Sequence, residues 1–180
     1  MKDRPLDQRL DDEASLEGYR SEEARREAIY GFFASKISIA DIARQFSCSS
    51  AEVQSAISQA RATRPRIERR ENRVTWELHY AVALKLTEDP TDIIKRALTQ
   101  ANIMQGRQKD AISRGWMERW EELLSGDLEV LKTVMLDTTH EAEDLRQMSP
   151  FIGALSQSER LLAINKAAFQ PGPDTQGHEV

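Results

Sequence analysis

Between Arg61 and Arg73 six arginines stand against only Glu68 and Glu71. Guanidinium groups at that density can neutralise a phosphate backbone, and the same run reads equally as a solvated, arginine-rich helix. The other reactive side chains are sparse. His79, His140 and His178 lie far apart, and Cys48 is the one cysteine, so a single chain builds neither a disulfide nor a cysteine-rich zinc site. No glycine-rich phosphate loop, His-Glu-x-x-His helix or serine-nucleophile elbow occurs. The reading is therefore of a protein that is not an enzyme, with no catalytic residues, no metal and no cofactor.

Charge supports a division of labour along the chain. The net charge is -5, but residues 1–19 carry three basic and six acidic groups, 20–73 eleven and seven, and 74–180 eleven and seventeen. A basic block sits between two acidic ones, and phosphate binding responds to the local field of a face more than to the total. A length of 180 residues, 39% hydrophobic and 31% charged, suits one ordinary globular domain or two small ones. No run of apolar residues is long enough to span a bilayer, and Met-Lys-Asp-Arg-Pro leads into acidic residues rather than a signal sequence. A cytoplasmic, reducing setting with no membrane association is expected.

The elements that must position these groups read as helices throughout, giving an all-α fold. Residues 1–19, with Pro5 and alternating charge, read as a flexible acidic arm. Ser21 is placed to cap a helix whose apolar positions are Ala24, Ala28, Ile29, Phe32 and Phe33. Ser38 caps a second helix over 39–46, and Ser50 a third from Ala51 to about Arg64, stopped by Pro65. These three make an N-terminal unit over 20–64, followed by a basic connector over 65–73. A helical bundle over 74–169 follows, and a Pro/Gly-rich disordered tail over 170–180. Within that bundle a helix over about 74–86 ends at Asp89-Pro90, where Asp89 can cap the next. Further helices carry Trp116 to Leu124 and Leu128 to Met135, then a short one capped by Thr138 or Thr139. The last carries Leu161 to Phe169 behind the Ser156-x-x-Glu159 capping-box pattern.

The fragment SIADIARQFSCSSAEVQSAISQA resembles the helix-turn-helix of bacterial repressors and recombinases over about 23 residues. Ile42 and Phe46 take the inward positions of its first helix, Ala43 the small residue at the crossing, Cys48 the apolar position after the turn, and Val53, Ala56 and Ile57 the anchors of the second. Ser47 departs from the pattern, standing where glycine is usual at a left-handed turn position. The resemblance implies that Ser49, Ser50, Ala51, Gln54, Ser55 and Ser58 face a DNA major groove. Gln54 offers the paired donor and acceptor that adenine requires. Arg44, Arg61, Arg64 and Arg66 are then the phosphate contacts. Glu52, near the helix start, would repel phosphate unless turned away.

In the second half, Arg146 to Ser156, with Glu159-Arg160, Trp76 to His79 and Trp116 to Leu124, resembles a family of small bacterial proteins associated with antitoxin-like gene pairs, over about 90 residues. That likeness implies a toxin-like protein partner, with Trp116, Trp120, Arg146, Phe151 and Leu155 as candidate contacts. The structural alternative is that Phe151 and Leu155 plug a groove between helices while Arg146 and Gln147 bond loop carbonyls. Arg73 and His79, five residues intervening, resemble the arginine-histidine pair of the helical HEPN ribonucleases, where such groups act on an RNA backbone; coincidence in an arginine-rich chain is the competing account. Together these readings point to a transcriptional regulator of the antitoxin or repressor type, binding double-stranded DNA as a homodimer. A protein-binding adaptor without a DNA target is the alternative, and a ribonuclease a remote one.

Overall fold

In the computed structural model, which describes residues 21–169, Ser21 opens the first helix, α1 (Glu22–Ala34), by accepting a hydrogen bond from the Ala24 N–H at 3.0 Å. The arm read over 1–19 and the tail over 170–180 lie outside the described residues. Ser38 caps α2 (Ile39–Gln45) in the same way. The third helix, α3 (Ser50–Ala62), starts one residue earlier than the sequence suggests. Ser49, not Ser50, is the cap, because Glu52 three residues later reaches back to the Ser49 N–H and completes a capping box.

These helices bury one another's apolar sides. Ile29, Tyr30 and Phe32 of α1 pack with Ile42 and Phe46 and with Val53, Ile57 and Ala60 of α3. The Phe32 and Phe46 rings meet edge to face at 5.4 Å. Each of the larger side chains contributes roughly 1.5–3 kcal/mol by leaving water.

The last helix, α9 (Gln157–Ala167), falls in this same unit rather than in the C-terminal bundle read over 74–169. Gly31 makes its approach possible: a Cβ there would lie 3.2 Å from both Leu162 Cδ2 and Lys166 Cε. Asn165 Nδ2 donates to Ser35 Oγ at 3.1 Å, and Phe169 packs on Phe33 with ring centroids 5.6 Å apart. The first compact unit is therefore 21–73 together with 157–169, and the second is 74–156. The connector read over 65–73 is partly helical, since α4 (Arg70–Glu88) begins inside it.

In the second unit α4 is followed by α5 (Pro90–Arg107), α6 (Ala111–Ser125), α7 (Leu128–Leu136) and α8 (His140–Gln147). Pro90 occupies the first turn of α5, but Asp89 makes no side-chain cap bond there, unlike Asp110, Asp127 and Thr139 ahead of the next three helices. Leu86, Met117, Trp120, Leu131, Met135 and Leu145 form the centre of its core. Among the described residues every regular element is a helix, no strand occurs, and no helix is long and apolar enough to cross a membrane.

Candidate nucleic-acid interface

The chain turns between α2 and α3 through Phe46 to Ser49. Ser47 takes φ of +49°, the left-handed conformation that its place in the motif predicts for a glycine. The Cys48 N–H then donates to the Ala43 carbonyl at 2.9 Å, closing the end of α2 as a glycine-type helix stop does. Arg25 of α1 holds the turn from outside. Its Nη2 donates to the Phe46 carbonyl at 3.1 Å while its guanidinium sits 5.9 Å from the Phe46 ring centre.

With Val53, Ile57 and Ala60 turned inward, the opposite side of α3 faces solvent. Ser50, Ala51, Gln54, Ser55, Ser58 and Arg61 are all exposed on it. Ser55 accepts a bond from Gln59 Nε2 at 3.0 Å. Ser49 is also exposed, but its hydroxyl serves the capping box and donates to Glu52 at 2.7 Å, so its first role is to start the helix rather than to read a base. Hydrogen bonds from the Ser49 N–H and hydroxyl hold the Glu52 carboxyl below the usual carboxylate range, so its negative charge persists at the start of α3, bound to the cap.

No family model, curated protein or solved structure matches this chain. The site therefore rests on its own geometry.

Of the four arginines assigned to phosphates, three are on the surface. Arg61 and Arg66 are exposed, and Arg44, 77% exposed, makes only a surface pair with Asp41 at 2.9 Å. Arg64 corrects the sequence reading. Its side chain has no exposure, its Nη2 lies 2.7 Å from Glu27 Oε2, it donates to the Ala60 carbonyl, and its guanidinium stacks 4.4 Å over the Tyr30 ring centre. An arginine so enclosed contacts no phosphate. Its outward appearance in the sequence follows from the irregular segment after α3, which turns it back toward α1.

The second unit corrects the partner surface as well. Trp120 is fully buried and donates from Nε1 to the Leu145 carbonyl at 3.0 Å; Phe151 meets its ring edge to face at 5.4 Å. Arg146 is buried too, with Nη1 donating to the Met135 carbonyl at 2.9 Å and to that of Asp137. All three are buried, and the structural alternative describes this region: Phe151 packs into the core, with Leu155 against it, while Arg146 bonds carbonyls. Trp116 and Leu155 are half-buried against the same core.

The Arg73 and His79 side chains are each held by hydrogen bonds within their own unit. Arg73 donates to the carbonyls of Ala167, Ile67 and Glu68 at 3.1, 3.1 and 2.7 Å. His79 Nδ1 lies 2.7 Å from the Thr75 carbonyl, which can only accept, so Nδ1 carries the proton and Nε2 accepts from the Ser149 hydroxyl at 2.9 Å. Burial pushes this imidazole down to about 4, aided by the nearby Arg146 charge and opposed by the Thr75 bond. It is neutral near pH 7 and a weak base. Among the described residues no group of three or more His, Cys, Asp or Glu is placed to hold a metal ion.

Sequence reasoning missed Arg25, which supports the turn. Nothing local marks it, because the group it bonds is a backbone carbonyl 21 positions away.

Proposed function

We propose that this chain is a DNA-binding transcriptional regulator of the antitoxin or repressor type. It lays α3 in the major groove, pairs as a homodimer on an operator and uses its acidic second unit for a protein partner. The observation that carries the reading is the outer stripe of α3. Ser50, Gln54, Ser58 and Arg61 recur at helical spacing on a face that the core leaves open. A helix of thirteen residues spans about 20 Å and suits a groove that admits one helix. Gln54 is the base reader, and Arg44, Arg61 and Arg66 supply cations at its margins.

The absence of any lysine or arginine on α3 before Arg61 favours a second reading, a protein-binding adaptor that uses the same face without DNA. It also explains why a dimer is needed for affinity, since one such helix offers few strong contacts. Gel-shift titration against DNA from upstream of the chain's own gene, at two salt concentrations, separates the readings. The regulator shifts that DNA and loses affinity as salt rises. No shift even at low salt supports the adaptor.

A further inference from the structure

An open groove of about 580 Å³ lies on the second unit, lined by Pro90, Ile94, Lys95, Leu98 and Asn102 of α5 and by Leu128 of α7. Ile94, Leu98 and Leu128 form its floor, half-buried against the core beneath. The lining positions of α5 recur every three or four residues from Pro90 to Asn102, a strip about 18 Å long. That strip matches about three turns of a partner helix.

Charge identifies the occupant. Glu88 and Asp89 stand beside Pro90, Asp92 sits on the same turn, and Asp127 and Glu129 flank Leu128, all five exposed. Four cations stand against them: Lys85 one turn before Asp89, Lys95 in the groove, Arg96 paired with Asp92 at 2.8 Å, and Lys132 paired with Glu129 at 2.6 Å. The border stays negative, on a unit that carries nine basic and fourteen acidic residues over 74–156. A second copy docking through this face would bring like charge to like charge. The chain's own ends fit no better: residues 1–19 carry three basic and six acidic groups, and 170–180 hold Asp174 and Glu179 with no lysine or arginine.

We infer that this groove binds a basic amphipathic helix of another protein, whose apolar side chains enter between α5 and Leu128 and whose lysines or arginines meet the acidic border. The inference rests on the partner-binding half of the proposed function and not on its DNA-binding half.

A fluorescein-labelled leucine-lysine peptide of about three helical turns, and a matched leucine-glutamate peptide, test it by anisotropy with the full chain. The basic peptide binds, salt weakens it, and the acidic one binds at least about ten-fold more weakly. Leu98→Ser removes at least about ten-fold of the affinity. Because that variant alters a half-buried side chain, the exposed double reversal Glu88→Lys/Asp89→Lys provides the independent reading, a loss of about three-fold per charge with helicity unchanged. Equal binding of both peptides, binding of neither, or indifference to the charge reversal overturns the inference. So does a dimer in sedimentation that Leu98→Ser dissociates, which would assign the groove to a second copy. The gel shift reads the other half of the proposal separately: a chain that binds the basic peptide and no DNA keeps this groove and loses the operator.

Discussion

Arg64 Nη2 and Glu27 Oε2 meet at 2.7 Å inside the first unit, and Lys166 of α9 reaches the same oxygen at 3.1 Å from the other side. Two cations and one carboxylate thus tie α1, the end of α3 and the last helix together. Removing the carboxylate strands both cations in the interior, which costs several kcal/mol, whereas exposed arginines carry little stability. Glu27→Ala is expected to lose about 3–5 kcal/mol in urea unfolding and Arg64→Ala less, because Lys166 still pairs with the carboxylate. Arg61→Ala and Arg66→Ala should stay within about 0.5 kcal/mol of the parent.

The same cluster sets an acid limit. Burial opposes the Glu27 charge, but Lys166 and Arg64 together outweigh burial and hold the carboxyl below its ordinary value of 4.5. A depressed carboxylate stabilises the fold fully above the unfolded-state value and loses that contribution as pH falls through the folded-state value. Unfolding free energy measured below pH 4.5 should therefore fall less steeply with acid in Glu27→Gln than in the parent.

His79 acts over a higher window. Its folded value of about 4 lies below the ordinary 6.5, so the unfolded chain takes up a proton that the folded chain refuses. Stability is complete above pH 6.5 and declines by up to about 1.4 kcal/mol per pH unit down to about pH 4. Imidazole resonances followed by NMR check this directly: the His79 shift stays flat from pH 8 to 5, and a midpoint near 6.5 would contradict the buried Ser149 and Thr75 bonds.

Ser47 supplies a prediction of opposite sign. At φ +49° a side chain is strained, so Ser47→Gly should raise stability by roughly 0.5–1 kcal/mol despite the freer unfolded chain. Ser47→Val, with a branched Cβ in the same conformation, should lower it by more than that. Thermal unfolding of the pair reads both.

The local features were legible in the sequence for a physical reason. The caps at Ser21, Ser38 and Thr139 bond backbone groups three residues away, and the apolar spacing of Ile29, Ile42, Val53 and Ile57 reports which side of each helix is dry. The left-handed turn at Ser47 was visible because its neighbours fit a motif around it. What stayed hidden depends on distant partners. Arg64 looked like the rest of a basic run because Glu27 is 37 positions away, and α9 looked like part of the bundle because its contacts with Gly31 and Ser35 span more than 125 positions. Trp120 and Arg146 have the residue types of an interface, and only the carbonyls of Leu145 and Met135 show that they face inward. For the exposed side of α3 the sequence named the residues and the fold leaves most of them open, with Ser49 taken by the cap.

Gln54 is the residue on which the proposed reading of DNA turns. Fluorescence anisotropy with the upstream duplex and a scrambled duplex of equal length, for the parent and Gln54→Ala across a salt series, tests it most directly. The account predicts that the parent prefers the upstream duplex, that Gln54→Ala loses about 1–3 kcal/mol of that preference, and that both share one salt slope because the arginines are untouched. A parent that binds neither duplex at low salt, or a Gln54→Ala protein that discriminates as well as the parent, would contradict it.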